Sequence, residues 1–164
     1  MSSKYDELSR TKYCAMLCLG RKAYTKRELF DKLLKKEYSE ECCEQTIEYL
    51  ENEGYINDSD YAARYTNDAI NLKKHGSVRI KADLRRKGID AEIIDRLFEE
   101  LESPDVETIK TVIEKKAEKL DLSDKKQRDR LIGYLLRRGF RYGEIYSELR
   151  NAELIMYNEE MLDE

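Results

Sequence analysis

The sequence is poor in the residues that interrupt helices: it has one proline and seven glycines in 164 residues, and no tryptophan. Glycine and proline are costly inside helices, so their scarcity favours a helical chain. Alternating runs of β-branched residues and Asn-Gly or Asp-Gly turns, which mark strands and hairpins, are also missing. We therefore expect an all-α fold.

Several classes of site are excluded by what is absent. His75 is the only histidine, and there is neither a phosphate-binding Gly-x-x-x-x-Gly-Lys loop nor a Gly-x-Ser-x-Gly motif. The four cysteines, which lack the Cys-x-x-Cys spacing of zinc sites, are expected to be reduced thiols that pack as small hydrophobes: Cys14, Cys18, Cys42 and Cys43. We expect no catalysis, cofactor or metal.

Long apolar runs are absent too. No segment approaches the roughly 18 apolar residues of a membrane span, and the first ten residues are polar. The interpretation is a cytoplasmic protein.

What the sequence does contain is an internal repeat. Leu84–Asp90 recurs in altered form at Leu33–Ser39 and at Leu135–Arg141, each time 51 residues away, and apolar positions on both sides keep the same spacing. Such a period indicates tandem units that bury their hydrophobic faces against one another. We predict three three-helix repeats, at 5–57, 58–102 and 103–157, followed by an acidic tail at 158–164.

Helix starts can be assigned from capping residues. Thr25 followed three residues later by Glu28 is a capping box, and Asp58 and Ser77 are predicted to cap the first and second helices of the middle repeat. Gly88 suits the left-handed position that ends a helix.

The basic residues are unevenly distributed. The chain has a formal net charge of -4, yet residues 72–89 carry seven basic residues against one acidic residue, a net charge of +6. A second cluster occupies the equivalent part of the third repeat, and both would lie along one side of the array if the repeats stack in register. Lysine and arginine at helix ends also complement the helix dipole, but the two clusters together favour a polyanionic or acidic partner. The candidate binding residues are Lys73, Lys74, Arg79, Lys81, Arg85, Arg86, Lys87, Arg130, Arg137, Arg138 and Arg141.

The sequence also contains twelve tyrosines. Aromatic side chains can stack on nucleic-acid bases, with Tyr61, Tyr65, Tyr134, Tyr142 and Tyr146 as candidates. Since most of them fall on inward-facing stripes, core or inter-repeat packing is the prediction for the majority.

These residues resemble a known family. Gly54–Tyr65, Lys74–Ile80 and Asp83–Asp90 are similar to the central signature of RecX, the bacterial regulator of the RecA recombinase, and Tyr24–Leu29 and Leu135–Phe140 resemble its first and third motifs. The resemblance implies an elongated, curved array of three three-helix units. It also implies binding in the groove of the RecA filament on single-stranded DNA, and inhibition of strand exchange, ATP hydrolysis and the co-protease activity that triggers the SOS response, and hence a role in regulating DNA repair. The chain departs from the pattern in its acidic balance and in Glu37, where the other two repeats have glycine.

Two alternatives to a RecA regulator remain open at this point. One is an autonomous helical DNA-binding module with a helix placed in a groove. The other is a helical scaffold whose charges serve solubility. In each case we expect a monomer, since the terminal repeats of an array end in polar residues.

Overall fold

The computed structural model describes the backbone of residues 2–101, 104–117 and 119–162, and the side chains of residues 6–101, 104–117 and 119–152. These residues form nine α-helices and no strand, which confirms the all-α prediction. The helices are α1 (Ser2–Leu19), α2 (Lys26–Leu34), α3 (Glu40–Asn52), α4 (Asp58–Asn71), α5 (Ser77–Arg86), α6 (Ala91–Glu100), α7 (Pro104–Ala117), α8 (Lys125–Arg137) and α9 (Tyr142–Leu162). The predicted boundary at 102/103 and the side chains of the predicted acidic tail lie outside the described residues.

The chain divides into two compact units that do not coincide with the repeats. Unit 1 comprises Met1–Tyr65 and Leu84–Leu97, and unit 2 comprises Thr66–Asp83 and Phe98–Glu164. The division falls within α4, within α5 and again within α6, so the middle repeat contributes helix segments to both units. Each unit has its own hydrophobic cluster.

The core of unit 1 is built on α1, α2 and α3. Leu29 and Leu33, one helical turn apart on α2, are fully buried, and each such side chain contributes about 1.5–3 kcal/mol of burial free energy. The cysteines are free; Cys18, Cys42 and Cys43 are buried and Cys14 is half-buried, as predicted for small hydrophobes. Among the described residues, no group of three or more His, Cys, Asp or Glu side chains is placed to hold a metal ion.

The core of unit 2 is built on α7, α8 and α9. Its buried side chains are Ile109, Val112, Ile113, Leu122, Leu131, Leu135, Phe140, Ile145 and Leu149. No helix in the described part of the chain is long and apolar enough to cross a membrane.

The capping box that starts α2 forms as predicted. The backbone N–H of Glu28 donates to Oγ1 of Thr25 at 3.1 Å, and the backbone N–H of Thr25 donates to the Glu28 carboxylate at 3.4 Å. The other two predicted caps are wrong. Asn57, not Asp58, caps α4, because its Oδ1 accepts the N–H groups of Ser59 and Asp60.

Asp58 instead caps a helix of the preceding repeat. The backbone N–H of Lys26, the first residue of α2, donates to Oδ1 of Asp58 at 2.9 Å. Oγ1 of Thr25 donates to the carbonyl oxygen of Lys87 at 2.6 Å, and Gly88 lies directly against Arg27. We call this contact, in which the end of α5 meets the start of α2 within unit 1, the first junction.

The same arrangement recurs within unit 2, where the helix-end residues lie 51 residues later and the aspartate that accepts from them lies 47 residues later. Ser77 does not cap α5; its backbone N–H and hydroxyl both donate to Asp105 of α7, at 2.9 Å and 2.6 Å. The N–H of Gly76 donates to the carbonyl oxygen of Arg138 at 2.8 Å, and the N–H of Val78 donates to that of Gly139 at 3.2 Å. At this second junction the end of α8 meets the start of α5, so that unpaired carbonyls at one helix end satisfy unpaired N–H groups at another.

The junctions explain the departure at Glu37. Gly88 and Gly139 have positive φ, and a Cβ on either would lie 2.4 Å from an atom of Arg27 or Arg79. Glu37 occupies the equivalent position at the end of α2 with φ 65. Its side chain is exposed, so only the left-handed backbone disfavours a residue with a Cβ there.

The second junction generates a stability prediction. Gly139→Ala places a Cβ 2.6 Å from the backbone nitrogen of Arg79. We expect the free energy of unfolding to fall by about 3 kcal/mol. About 1 kcal/mol of this comes from the left-handed backbone and about 2 kcal/mol from overpacking. Gly54→Ala is the control, since Gly54 also has positive φ but its Cβ would have open space; it should lose only about 1 kcal/mol. Urea unfolding of both variants measures the difference, and equal losses would contradict close packing at the junction.

The first junction generates a pH prediction. Burial raises the pKa of Asp58, outweighing the hydrogen bond from the Lys26 N–H. Protonation of Asp58 therefore supplies stability that is fully present below the ordinary value of 3.8 and is lost as pH rises through the raised folded-state pKa. Asp58→Asn keeps an acceptor for Lys26 but does not titrate, so its unfolding free energy relative to the original chain should rise from pH 4 towards neutrality. The exposed Asp60→Asn is the control; a constant difference between Asp58→Asn and the original chain would overturn this assignment.

Candidate binding surface

The predicted basic residues differ in how far they reach into solvent. Four are only half-buried and have identifiable neighbours: Lys74, Lys81, Lys87 and Arg138. The other seven are exposed: Lys73, Arg79, Arg85, Arg86, Arg130, Arg137 and Arg141. The exposed ones are those best placed to meet a partner.

Lys87 is occupied inside unit 1. Its Nζ lies 2.7 Å from Oε1 of Glu28 and within 5.4 and 5.6 Å of the ring centroids of Tyr61 and Tyr65, which stack on each other. Burial disfavours the charged ammonium, but hydrogen bonds to Glu28 and Tyr61 outweigh it, and the pKa of Lys87 is raised. The side chain of Lys87 thus fastens the first junction, a structural role that the sequence analysis missed.

Arg138, 51 residues later, has a corresponding place in unit 2. Its guanidinium lies 4.7 Å from the ring centroid of Tyr134 and donates to the carbonyl oxygen of Lys73. Its own carbonyl oxygen accepts the N–H of Gly76. Both Lys87 and Arg138 therefore combine a backbone contact at a junction with a cation–π contact.

A dense group of cations surrounds His75 in unit 2. Nη1 of Arg79 donates to the carbonyl oxygen of Arg137 at 3.4 Å, and Nε of Arg79 is 4.0 Å from the Asp83 carboxylate. Burial lowers the pKa of His75, and the positive charges of Arg79, Arg138 and Lys73 lower it further. His75 thus lies in a positive electrostatic potential. Of the predicted basic residues, Lys73, Arg79 and Arg138 are brought together around it.

The remaining candidates divide between the units. Arg85 and Arg86 are exposed at the end of α5 in unit 1, while Arg130 and Arg137 on α8 and Arg141 after it are exposed in unit 2. Lys81 lies over the Phe98 ring at 4.7 Å. That the two clusters share one side of the array stays a prediction.

The prediction that core or inter-repeat packing accounts for most tyrosines holds for half of those described. Besides Tyr24, four half-buried tyrosines pack against core side chains or beside Lys87 at the first junction: Tyr38, Tyr134, Tyr61 and Tyr65. Of the ten with described side chains, only Tyr24 is buried, and five are exposed: Tyr13, Tyr49, Tyr55, Tyr142 and Tyr146. Tyr142 and Tyr146 stack on each other in solvent, with centroids 6.2 Å apart. Helical periodicity shows that Tyr142 and Tyr146 lie on the same face of α9. It does not show whether other residues pack on that face, and in the described chain both side chains are exposed.

Sequence reasoning also missed a basic cleft in unit 2. Lys115 and Lys116 in the last turn of α7 and Lys119 just beyond it join Lys74 around a cleft of about 380 Å³. Only Lys74 was among the predicted residues, because α7 reads as a packing helix with a predominantly apolar stripe. The run of three lysines within five residues was the available signal.

Three sequence models of one family match the chain in succession. They describe the first, second and third three-helix domains of RecX, and they match residues 12–50, 57–97 and 104–149.

Individual proteins agree with the family models. The chain is 36% identical over 137 residues to the regulatory protein RecX of Pelodictyon phaeoclathratiforme, covering 83% of this chain and 84% of that protein. It is 33% identical over 132 residues to that of Clostridium acetobutylicum, covering 77% of this chain and 61% of that protein.

Solved structures agree as well. The crystal structure of RecX from Lactobacillus salivarius superposes with a TM-score of 0.80 at 28% identity, covering 92% of this chain and 99% of that one. A second RecX crystal structure, at 22% identity and a TM-score of 0.76, covers 91% of this chain and 74% of that one and shows the same fold. With all three domain models matched in order, this chain belongs to the RecX family of regulatory proteins.

Proposed function

We propose that a single copy of this chain binds, in the cytoplasm, the filament that RecA forms on single-stranded DNA, and that it inhibits strand exchange, ATP hydrolysis and co-protease activity. Membership of the RecX family supports RecA as the partner. The proposal includes the predicted role in regulating DNA repair and the SOS response.

The observation that carries the proposal is that, at two equivalent helix ends, one of two adjacent basic residues is half-buried and the other is exposed. Arg86 and Arg137 are 51 residues apart at equivalent places in the second and third repeats, and both are exposed. Their immediate neighbours Lys87 and Arg138 are half-buried and hold the junctions. Lys87 and Arg138 thus hold the helix ends, while Arg86 and Arg137 present positive charge at the surface, where an acidic partner can reach it.

The mechanism we propose is competition for space and for charge. The exposed arginines face the filament interior, where the chain occupies the groove and part of the path of the DNA. Entry of a duplex is blocked, and loss of RecA protomers from filament ends is favoured. Because exposed charge pairs are screened by salt, the inhibition should weaken as ionic strength rises.

A charge-reversal experiment tests this surface. Arg85→Glu, Arg86→Glu, Arg137→Glu and Arg141→Glu are combined in one variant, and the matched control combines Arg21→Glu, Arg64→Glu, Arg96→Glu and Arg150→Glu, which are also exposed and carry the same change in net charge. We titrate RecA-catalysed ATP hydrolysis on single-stranded DNA with each protein. The control should inhibit well below one molecule per RecA, and the first variant should need at least about tenfold more protein, since four close contacts reverse sign.

Equal inhibition by both variants would remove these arginines from the interface. No inhibition by the unmodified chain, together with tight, salt-sensitive binding to DNA alone, would instead favour the autonomous DNA-binding module.

A second prediction separates structural from binding residues on α5 and just after it. Lys87→Gln breaks the contact with Glu28 and the two tyrosines, so we expect the free energy of unfolding to fall by about 1.5 kcal/mol. Arg85→Gln alters an exposed side chain and should change it by less than about 0.5 kcal/mol. Thermal unfolding followed by circular dichroism measures both, and equal stability of the two variants would argue against a fastening role for Lys87.

A further inference from the structure

Four lysines converge on one cleft of unit 2 from separate parts of the chain. Lys115 and Lys116 belong to the last turn of α7, Lys119 follows that helix, and Lys74 comes from the segment after α4. We propose that this cleft binds the phosphate groups of a nucleotide, either as one unit of a single strand of nucleic acid or as a free nucleoside triphosphate.

The convergence is more than the helix dipole requires. Lys115 and Lys116 complement the carbonyl end of α7, as basic residues in a last turn commonly do. Lys74 belongs to another element, however, and Lys119 lies beyond the helix end. Among the described residues that line the cleft none is acidic, so four positive charges share it. Like charges gathered at a concave site attract an anionic ligand.

The backbone at Lys74 supports a role for its side chain. Lys74 adopts φ 52, in the left-handed region that few residues other than glycine and asparagine occupy. The N–H of His75 donates to the carbonyl oxygen of Ala69 at 2.9 Å and closes the end of α4 around this conformation. Glycine or asparagine would adopt this backbone conformation more easily than lysine, but neither would place a positive charge at the cleft. Lys74 does.

The rest of the lining suits the sugar and base of a nucleotide. Val112, Leu120 and the ring of Tyr134 form an apolar part of the wall. Nζ of Lys116 lies 4.5 Å from the centroid of that ring, so apolar surface and charge are adjacent. The volume of about 380 Å³ falls at the small end of ligand-binding clefts, which span about 300–1,000 Å³. It fits a single nucleotide and not a folded nucleic acid.

This inference deepens the proposed function, since it adds a phosphate contact that the exposed arginines do not supply. Its test does not involve RecA, so the two proposals can fail separately.

The experiment compares two triple variants with the unmodified chain. The cleft variant is Lys74→Gln, Lys115→Gln and Lys119→Gln; the control is Lys22→Gln, Lys35→Gln and Lys36→Gln, exposed lysines of unit 1 with the same loss of charge. Binding of fluorescein-labelled short oligothymidylate is followed by anisotropy over a series of salt concentrations, after circular dichroism has shown that each variant is folded.

We expect the cleft variant to bind at least about tenfold more weakly than the control. Its slope of log affinity against log salt should also be shallower by about 2, because three lysines are removed and each contact with a single-strand phosphate contributes about 0.7 to that slope. Unlabelled ATP that displaces the oligonucleotide from the unmodified chain but not from the cleft variant would identify a free nucleotide as a ligand. Failure of ATP to compete, with unlabelled oligothymidylate competing, would identify the strand.

Two results would overturn the proposal. One is equal loss of binding in the cleft variant and the control, which would mean that only net charge matters. The other is no binding of oligothymidylate or ATP by the unmodified chain even at low salt.

Discussion

The structure depends on one interaction used twice: the carbonyl end of a second helix docks on the N–H end of the second helix in the preceding repeat. The hydroxyl of Thr25 and the backbone N–H of Gly76 donate to the carbonyl oxygens of Lys87 and Arg138. Asp58 and Asp105 accept the N–H of the residue that follows each donor. A helix end leaves up to four backbone groups unsatisfied, and each costs free energy if it is buried without a partner. When opposite helix ends meet, the carbonyl groups of one end and the N–H groups of the other both find hydrogen-bond partners. The 51-residue period of the helix ends thus reflects the need to satisfy these backbone groups.

The part of this arrangement that sequence could predict was the part that is local. The Thr25–Glu28 capping box involves residues three apart, and it formed as expected. Asp58 has the chemistry of a cap, and it does cap a helix, but one that begins 32 residues earlier in the chain. Capping preference depends on residue type and spacing, whereas the choice between a near and a distant helix depends on packing, which periodicity alone does not fix.

The same limit applied to the charges. Clusters of lysine and arginine were visible in the sequence, but not their division into residues that hold junctions and residues that face solvent. Lys87 and Arg138 turn inward because aromatic rings and, for Lys87, a carboxylate lie beside them. The lysines at the end of α7 were overlooked because a regular apolar stripe on the same helix explained its packing, and because Lys74 reaches the same cleft from a distant part of the sequence.

Glu37 restricts where a further three-helix repeat could be added to the chain. A repeat duplicated between existing repeats would carry both its own glycine, for docking on the repeat before it, and its own aspartate. A repeat added ahead of the first would instead have to receive the end of α2, where Glu37 would bring a Cβ into a space that admits only hydrogen at Gly88 and Gly139. A repeat added ahead of the first would therefore be expected to dock as the others do only if position 37 were glycine.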